Sequence, residues 1–443
     1  MREIQEFNQL VSRNILLRNH HIKVVKSNDL GTVFFARVVA KMVDNCMSLS
    51  MKIMIRYRKV FLPSNLRPLP AVCVISLSKE QISQGMAQDN LVSFFREPRF
   101  GNPTGSILVE TKSFRLAFLK SNLLKPSIPI YFFLTSLNIE QQERVLSLFD
   151  SATNGWIKAS NSRKHLNLKV FYDIFELAVW FTIKNKKLTL ITTQSTMHQL
   201  PSAFEILNSS FNRKMFWYST NSQSIKRNGH PLEMPNFSKN INRDVDMHYV
   251  WDLDSKQFLH SHGITRVTEV GSILFVKPGR VNLEKSDFKL AYFDVTPFEQ
   301  AHSYYTTKRM CANLSKLVEI TSDLSASTNL KIDLLVKPKR KIKKSHSQEY
   351  ANMLRNYEKE GKLKIINPAV NLYGLVNEVN CIIGIPFTSP VVVGRELNVP
   401  SAYFDTYVDD YQLPRTHNGF QVISDEVQLA TWLEKFMQRP STS

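Results

Sequence analysis

Cysteine is scarce. The 443 residues include four, Cys46, Cys73, Cys311 and Cys381, and no two form a Cys-x-x-Cys pair. That spacing argues against a structural zinc site or a disulfide framework. Cys73 and Cys381 sit inside apolar runs that suit buried thiols. Long apolar runs are missing too: the longest in the first half, near Ile128 to Leu134, is far too short to span a bilayer. The opening stretch MREIQEFNQLVSRN has no apolar core and no small-residue cleavage site, so no secretory leader is expected and a cytoplasmic location is. No P-loop, no Gly-x-Gly-x-x-Gly and no Ser-His-Asp order appears, so nothing points to kinase, dinucleotide or hydrolase chemistry. Acidic residues are also short, 38 Asp+Glu against 57 Lys+Arg, for a formal charge of +19. A surface this basic has an anionic partner: nucleic acid, an anionic membrane face or a phosphorylated substrate. The basic residues are spread along the chain, and only KPKRKIKK (337–344) is a dense cluster. Without zinc-finger spacing, an RNP motif or a basic zipper, nucleic acid is not the expected partner.

What is present is a globular composition, 43% hydrophobic and 21% charged, in a chain long enough for two domains. Short β-branched apolar runs alternate with longer helical patterns, which predicts an α/β fold with parallel sheets. The pattern is clearest late in the chain. KLAYFDV (289–295), KIDLLV (331–336), KLKIINP (362–368), CIIGI (381–385) and SAYFD (401–405) read as strands. Helices are expected at Gln300 to Leu324, Gln348 to Glu360, Tyr373 to Val379, Val391 to Leu397 and Glu426 to Met437. Earlier strand candidates are AVCVIS (71–76), SILVET (106–111), PIYFFL (129–134), LTLITT (188–193), MFWYS (215–219), HYVWD (248–252) and GSILFV (271–276). Helical patterns cover Ile139 to Phe149 and Leu168 to Lys184. The expected organisation is a helical N-terminal extension over 1–60 and two Rossmann-like domains, 61–280 and 281–443, facing a cleft. The polar stretch VKPGRVNLEKSD (276–287) is the linker.

Three loops follow parallel strands in the second domain and open on the same side. In DVTPFE (294–299), Thr296 is placed to cap a helix, Pro297 to begin it and Glu299 to complete a capping box; Thr296 is also a candidate for the cleft. VKPKR (336–340) presents Lys337, Lys339 and Arg340, which suit charge-assisted bonds to phosphate. In GIPFTSP (384–390), either Thr388 or Ser389 can cap the next helix while Pro390 opens it. A helix N-terminus offers unpaired N–H groups and a positive dipole end to an anion.

GIPFTSP followed by RELNVPS (395–401) resembles the bacterial polysaccharide-biosynthesis proteins named for a PFTS motif. Pro386, Phe387, Thr388 and Ser389 match that motif, and FREPRF (95–100), TTQST (192–196), WYSTNS (217–222) and FDVTPF (293–298) are softer signposts. The resemblance implies a GT-B-like glycosyltransferase building surface carbohydrate such as O-antigen or capsule, with no cofactor. Its implied donor is a CMP-activated acidic sugar such as Kdo or a nonulosonic acid. This sequence has Lys-Pro-Lys where such enzymes carry His-Pro, so a UDP- or GDP-sugar is the alternative donor. A nonenzymatic polysaccharide-assembly or nucleic-acid-binding protein on the same shell is the alternative function. Donor phosphate and nucleotide would lie on Thr388, Ser389, Lys337, Lys339, Arg340, Thr296 and Phe387. The acceptor, a glycan or lipid-linked glycan, would lie on the first domain near Arg96 and Arg99, and an anionic inner-membrane surface would hold the enzyme peripherally. Candidate catalytic carboxylates are Glu110, Asp252 and Glu97, with His198 a weaker candidate base. Asp252 and Asp254 form the Asp-x-Asp pair that holds a metal in GT-A transferases, and Asp244 and Asp246 repeat it. The two-domain reading argues against a metal here.

Overall fold

The structure is a computed structural model. It describes residues 2–18, 72–75, 95, 97, 100, 107–109, 137–159, 168–193, 202–206, 209–217, 225–228, 230–231, 245–261, 263–273, 281–284, 286–297, 304–343, 346–407, 409, 411–417 and 419–437. Two compact units emerge. One comprises Met1–Ile82, Ala87–Phe216 and Asn236–His248; the other comprises Ser83–Met86, Trp217–Pro235 and Tyr249–Ser443. Contacts therefore group residues 249–280 with the second unit, upstream of the 276–287 linker expected from composition.

The first unit has a parallel sheet of β1 (Val72–Ile75), β2 (Ile107–Val109), β3 (Leu188–Thr192) and β4 (Phe211–Phe216). β1 pairs with both β2 and β3, and β3 pairs with β4. Helix α1 (Arg2–Arg18) packs on α2 (Ile139–Ala159) and α3 (Leu168–Thr182). Phe7 and Val11, four apart on one face of α1, are buried, and the Phe7 ring lies 5.3 Å from that of Phe181. Each large apolar side chain buried this way contributes about 1.5–3 kcal/mol. The strand expected at 215–219 lies earlier, at Phe211–Phe216, where Phe211, Met215 and Phe216 are buried and Leu188–Thr192 pairs along Phe211–Met215. The strand expected at 129–134 lies outside the described residues.

The second unit takes in the short pair β5 (Lys226–Arg227) and β6 (His230–Pro231), and then the chain from within β7 (Met247–Val250) onward. Helix α4 (Leu253–Ser261) and β8 (Val267–Glu269) follow; Val250, Leu259, Ile264 and Val267 form a small core with Trp217 and Phe258. Residues 271–273, expected to start a strand, are irregular: Gly271 takes a positive φ of 79°, which extended strands exclude.

The main sheet of this unit contains β9 (Phe288–Phe293), β10 (Ile332–Lys337), β11 (Lys364–Ile365), β12 (Cys381–Gly384), β13 (Ser401–Phe404), β15 (Thr416–His417) and β16 (Phe420–Ile423). Their order is β11-β10-β9-β12-β13-β16-β15, and all pairs but the last are parallel. β14 (Tyr411–Gln412) pairs with β5 instead. The first six strands follow the doubly wound order 3-2-1-4-5-6. The chain therefore reverses its direction of travel across the sheet between β9 and β12, and a crevice opens there outside the carboxyl ends.

Helices α5 (Thr307–Thr328), α6 (Gln348–Lys359), α7 (Leu372–Asn377), α8 (Ser389–Glu396) and α9 (Glu426–Met437) cover this sheet. α5 buries Met310, Leu314, Leu317 and Leu324, the spacing of one helical face. It is capped by Thr306, whose hydroxyl accepts from the Arg309 N–H, rather than by Thr296. α8 lies close on β12 and β13 because two glycines make room. A Cβ at Gly394 would meet Ser401 Oγ at 2.0 Å, and one at Gly384 would meet a Val391 methyl at 2.6 Å.

Candidate functional site

The carboxyl ends of β10, β9 and β12 are adjacent, so the three loops singled out in the sequence are neighbours. Asp294 ties the first two together. Fully enclosed, its carboxylate accepts from the Thr296 N–H and hydroxyl (both 3.0 Å), the Lys339 N–H (2.8 Å) and the Tyr350 hydroxyl (2.9 Å). Burial pushes its carboxyl up, and those bonds pull in the opposite direction. The Thr296 hydroxyl in turn accepts from the Arg340 N–H at 3.2 Å.

Thr296 is therefore not a helix cap. Its φ of 44° is left-handed, whereas an N-cap residue is extended, and its hydroxyl is turned back to Asp294. Glu299 lies outside the described residues. Lys337 is half-buried and donates to the Pro368 carbonyl at 2.9 Å; burial lowers its amine to about 8. Lys339 is exposed to solvent, yet crowding by protein, and then Arg340, bring its amine to about 8 as well. Water screens a group so placed, and both amines stay largely protonated at neutral pH.

The third loop turns from β12 into α8. The peptide bond between Pro386 and Phe387 is cis. The Thr388 N–H bonds the Ile385 carbonyl at 2.9 Å, and α8 starts at Ser389 with Pro390 in its first turn. Thr388 occupies the N-cap position with extended backbone, but its hydroxyl makes no capping bond. That hydroxyl is buried, the residue being 6% exposed, and has no hydrogen-bond partner among the described residues. It lies over the carboxyl end of β12, 2.8 Å from where a Cβ of Gly384 would be. Ser389 is half-buried beside it.

Phe387 is one of the residues expected at the donor phosphate and nucleotide. The side chain is fully buried, edge-on to Tyr403 at 5.1 Å and against His417 at 4.0 Å, so only its backbone can reach a ligand. Burial pushes the Tyr305 hydroxyl up to about 12, opposed by the Phe387 backbone.

Asp252 is a buried cap. Its carboxylate accepts from the Ser255 N–H at 2.8 Å at the start of α4, which explains its burial and argues against a freely accessible base. Asp254 pairs with His417 Nδ1 at 3.0 Å, and Asp246 pairs with Arg213 at 3.2 Å in the first unit. Among the described residues no group of three His, Cys, Asp or Glu is arranged to hold a metal. Glu97 is half-buried in the first unit, where its carbonyl accepts from the Phe100 N–H. Glu110, Arg96, Arg99, His198 and Asp244 lie outside the described residues.

A third buried carboxylate escaped the sequence reading. Asp405 ends β13 and accepts from Arg309, Tyr304, Asn313 and the Tyr407 N–H. Arg309, 1% exposed, is sandwiched by the Tyr304 and Tyr407 rings. The signal was present: Ala-Tyr-Phe-Asp occurs at 291–294 and again at 402–405, on the two strands that flank β12. An acidic residue directly after an apolar strand twice in one sheet is worth reading as a loop anchor.

The fold defines a two-unit α/β protein whose second unit is Rossmann-type, with a switch point between β9 and β12. A family model described as "Polysaccharide biosynthesis PFTS motif protein" matches residues 175–433, and the chain belongs to that family. No curated protein matches by sequence. Among solved structures, the chain is similar to TarM of S. aureus in a complex with fondaparinux, α-GlcNAc-glycerol and UDP. They share 11% identity over 59% of this chain and 52% of that one, with a TM-score of 0.38. It is also similar to the wall teichoic acid polymerase TagF, at 14% identity over 63% and 68% with a TM-score of 0.36. A third is the Anabaena protein HepE with UDP and glucose, at 11% over 84% and 90% with a TM-score of 0.36. The chain covers about half the length of TarM. None of the described helices is long and apolar enough to cross a membrane.

Proposed function

We propose that the protein is a GT-B-like glycosyltransferase that moves a sugar from a nucleotide-activated donor to a growing surface polysaccharide or a lipid-linked acceptor. One observation carries the reading: a buried Thr388 hydroxyl, without a partner among the described residues, at the N-cap of α8 and at the switch point between β9 and β12. A hydroxyl buried without a partner costs free energy, and a phosphate oxygen is a partner that α8's N-terminus also favours. Ser389, Thr296 and the Lys337, Lys339 and Arg340 turn complete the proposed donor cradle.

In transfer, the acceptor hydroxyl oxygen bonds to the anomeric carbon as the bond from that carbon to the phosphate oxygen breaks. Negative charge grows on the leaving phosphate, and fixed N–H groups, a hydroxyl and ammonium groups stabilise it there. The acceptor's proton needs a base, for which the first-unit carboxylates Glu97 and Glu110 are the proposed candidates. The formal +19 charge would hold the protein at an anionic leaflet, where lipid-linked acceptors lie.

A thermal-shift panel of CMP, CDP, UDP and GDP tests the reading and ranks the donor. A nucleotide at a hundred times its Kd stabilises the native state by about 2.7 kcal/mol. The double variant Thr388→Val, Ser389→Ala is expected to keep its fold and lose that shift. A flat panel with the unaltered protein sinks the proposal.

A further inference from the structure

The Asp-x-Asp pair at 252–254, unused by the donor site, leads to a contact that reaches it. Asp252 caps α4 and thereby fixes the first turn, on which Asp254 stands. Asp254 Oδ2 lies 3.0 Å from His417 Nδ1. His417 ends β15, the last strand of the sheet, and is 2% exposed. Its ring lies against the Phe387 ring, centroids 4.0 Å apart and 39° between planes, and 6.0 Å from that of Tyr403. Tyr403 on β13 packs edge-on against Phe387 and reaches the Thr388 carbonyl with its hydroxyl at 3.4 Å. The phenylalanine of the PFTS turn is thus held by two rings, one of which is oriented by a carboxylate from α4.

We infer that Asp254 and His417 form a clamp that positions the Pro386 to Ser389 turn, so that the Asp-x-Asp pair acts on the nucleotide site through His417 and not through a metal. The chemistry is specific about direction. Burial holds the imidazole neutral, opposed by Asp254 and then Asp252. With Nδ1 facing a carboxylate, the neutral ring carries its proton on Nδ1 and donates it to Asp254. That bond fixes the rotation of the ring and hence the surface offered to Phe387. Arg395, stacked on Phe420 at 4.7 Å, Tyr403 and Tyr305 are titratable groups beside this contact. His417 and Asp254 are positioning residues: neither is placed to touch the donor.

The inference rests on the proposed donor site for its meaning, but one readout needs no ligand. Amide hydrogen exchange over 385–392, measured on the full chain, is expected to quicken about tenfold or more in His417→Ala, with exchange in β9, β10 and the first unit unchanged. Asp254→Ala is expected to quicken the same segment. Asp254→Asn, which retains an oxygen to accept from Nδ1, restores protection. The double variant Asp254→Ala, His417→Ala should be no faster than His417→Ala alone, because Asp254 acts only through the ring. Additive effects, or unchanged exchange in the two alanine variants, overturn the inference. If His417→Ala does not fold, Asp254→Ala decides by the same measurement.

Titration with UDP and with CMP gives the second readout. The affinity of the one that stabilises the unaltered protein should fall about tenfold in His417→Ala, and kcat at saturating donor should fall as well, because the turn also steadies the charge on the leaving phosphate. If neither nucleotide binds the unaltered protein, the donor-site reading fails by itself, and the exchange result still decides whether the clamp holds the turn.

Discussion

At position 388 a hydroxyl stands where a methyl would pack as well. The free protein gains nothing visible from it, since the group is buried, caps nothing and has no partner among the described residues. Valine has the same shape without that unmet bond. Thr388→Val is therefore expected to leave stability unchanged or raise it by up to about 1 kcal/mol, while nucleotide affinity falls about tenfold. Denaturant midpoints and nucleotide titrations measure the two effects. A destabilised variant with normal affinity would mean that the hydroxyl serves the fold. This residue also marks the limit of sequence reading. Capping chemistry predicts a Thr or Ser before Pro390, and α8 does start there; only the coordinates separate a capping hydroxyl from one left over. Thr296 illustrates the converse. The sequence Thr-Pro-x-Glu reads as a helix start, but Asp294, two residues earlier, offers the Thr296 hydroxyl a buried carboxylate, and the backbone turns left-handed to reach it.

Among the elements, those with strong periodicity were legible and those fixed by distant contacts were not. The strands at β9, β10, β12 and β13 and the final helix Glu426–Met437 follow from apolar runs and helical spacing, because their burial is set by their own residues. The order in which the strands pair depends on glycine clearances and buried anchors, which no local window contains. Gly394 is one such clearance. Gly394→Ala places a Cβ 2.0 Å from Ser401 Oγ and 2.7 Å from an Ile382 methyl, so α8 must lift from the sheet. A loss of about 1–3 kcal/mol is expected by chemical denaturation, with weaker nucleotide binding as the helix N-terminus moves. The Asp405 network is a second anchor. It ties α5 to the end of β13 through Arg309 and Asn313. Arg309 also pairs with the partly buried Asp409, so Asp405→Ala leaves the buried guanidinium under-compensated and is expected to cost about 3 kcal/mol in the same measurement. A cost under about 1 kcal/mol would show that water reaches Arg309.

For the molecule as a whole, composition announced a basic two-domain α/β protein but gave no sign of how it responds to acid. That response follows from His248, which the sequence places in an apolar strand and the structure buries at 1% exposure in β7. Burial lowers its imidazole from 6.5 to about 4. The folded state therefore disfavours the proton that the unfolded chain accepts near pH 6.5. Above that pH both states are neutral here and the group is silent. As pH falls from 6.5 towards 4, the unfolded chain takes up the proton first and stability declines, by up to about 3 kcal/mol at 1.36 kcal/mol per pKa unit. His417, also lowered by burial, acts in the same direction in the second unit. His248→Gln keeps a polar side chain of similar size and cannot titrate. Its unfolding free energy is expected to be flatter than that of the unaltered protein between pH 6.5 and 4, most clearly when hydrogen exchange is followed over the first-unit strands β3 and β4. A variant with an undiminished slope there would place the acid sensitivity elsewhere. The carboxyl of Asp294 has the opposite sign: burial raises it, so the folded state tolerates its protonation better than the unfolded chain does, and protonating it favours the folded second unit.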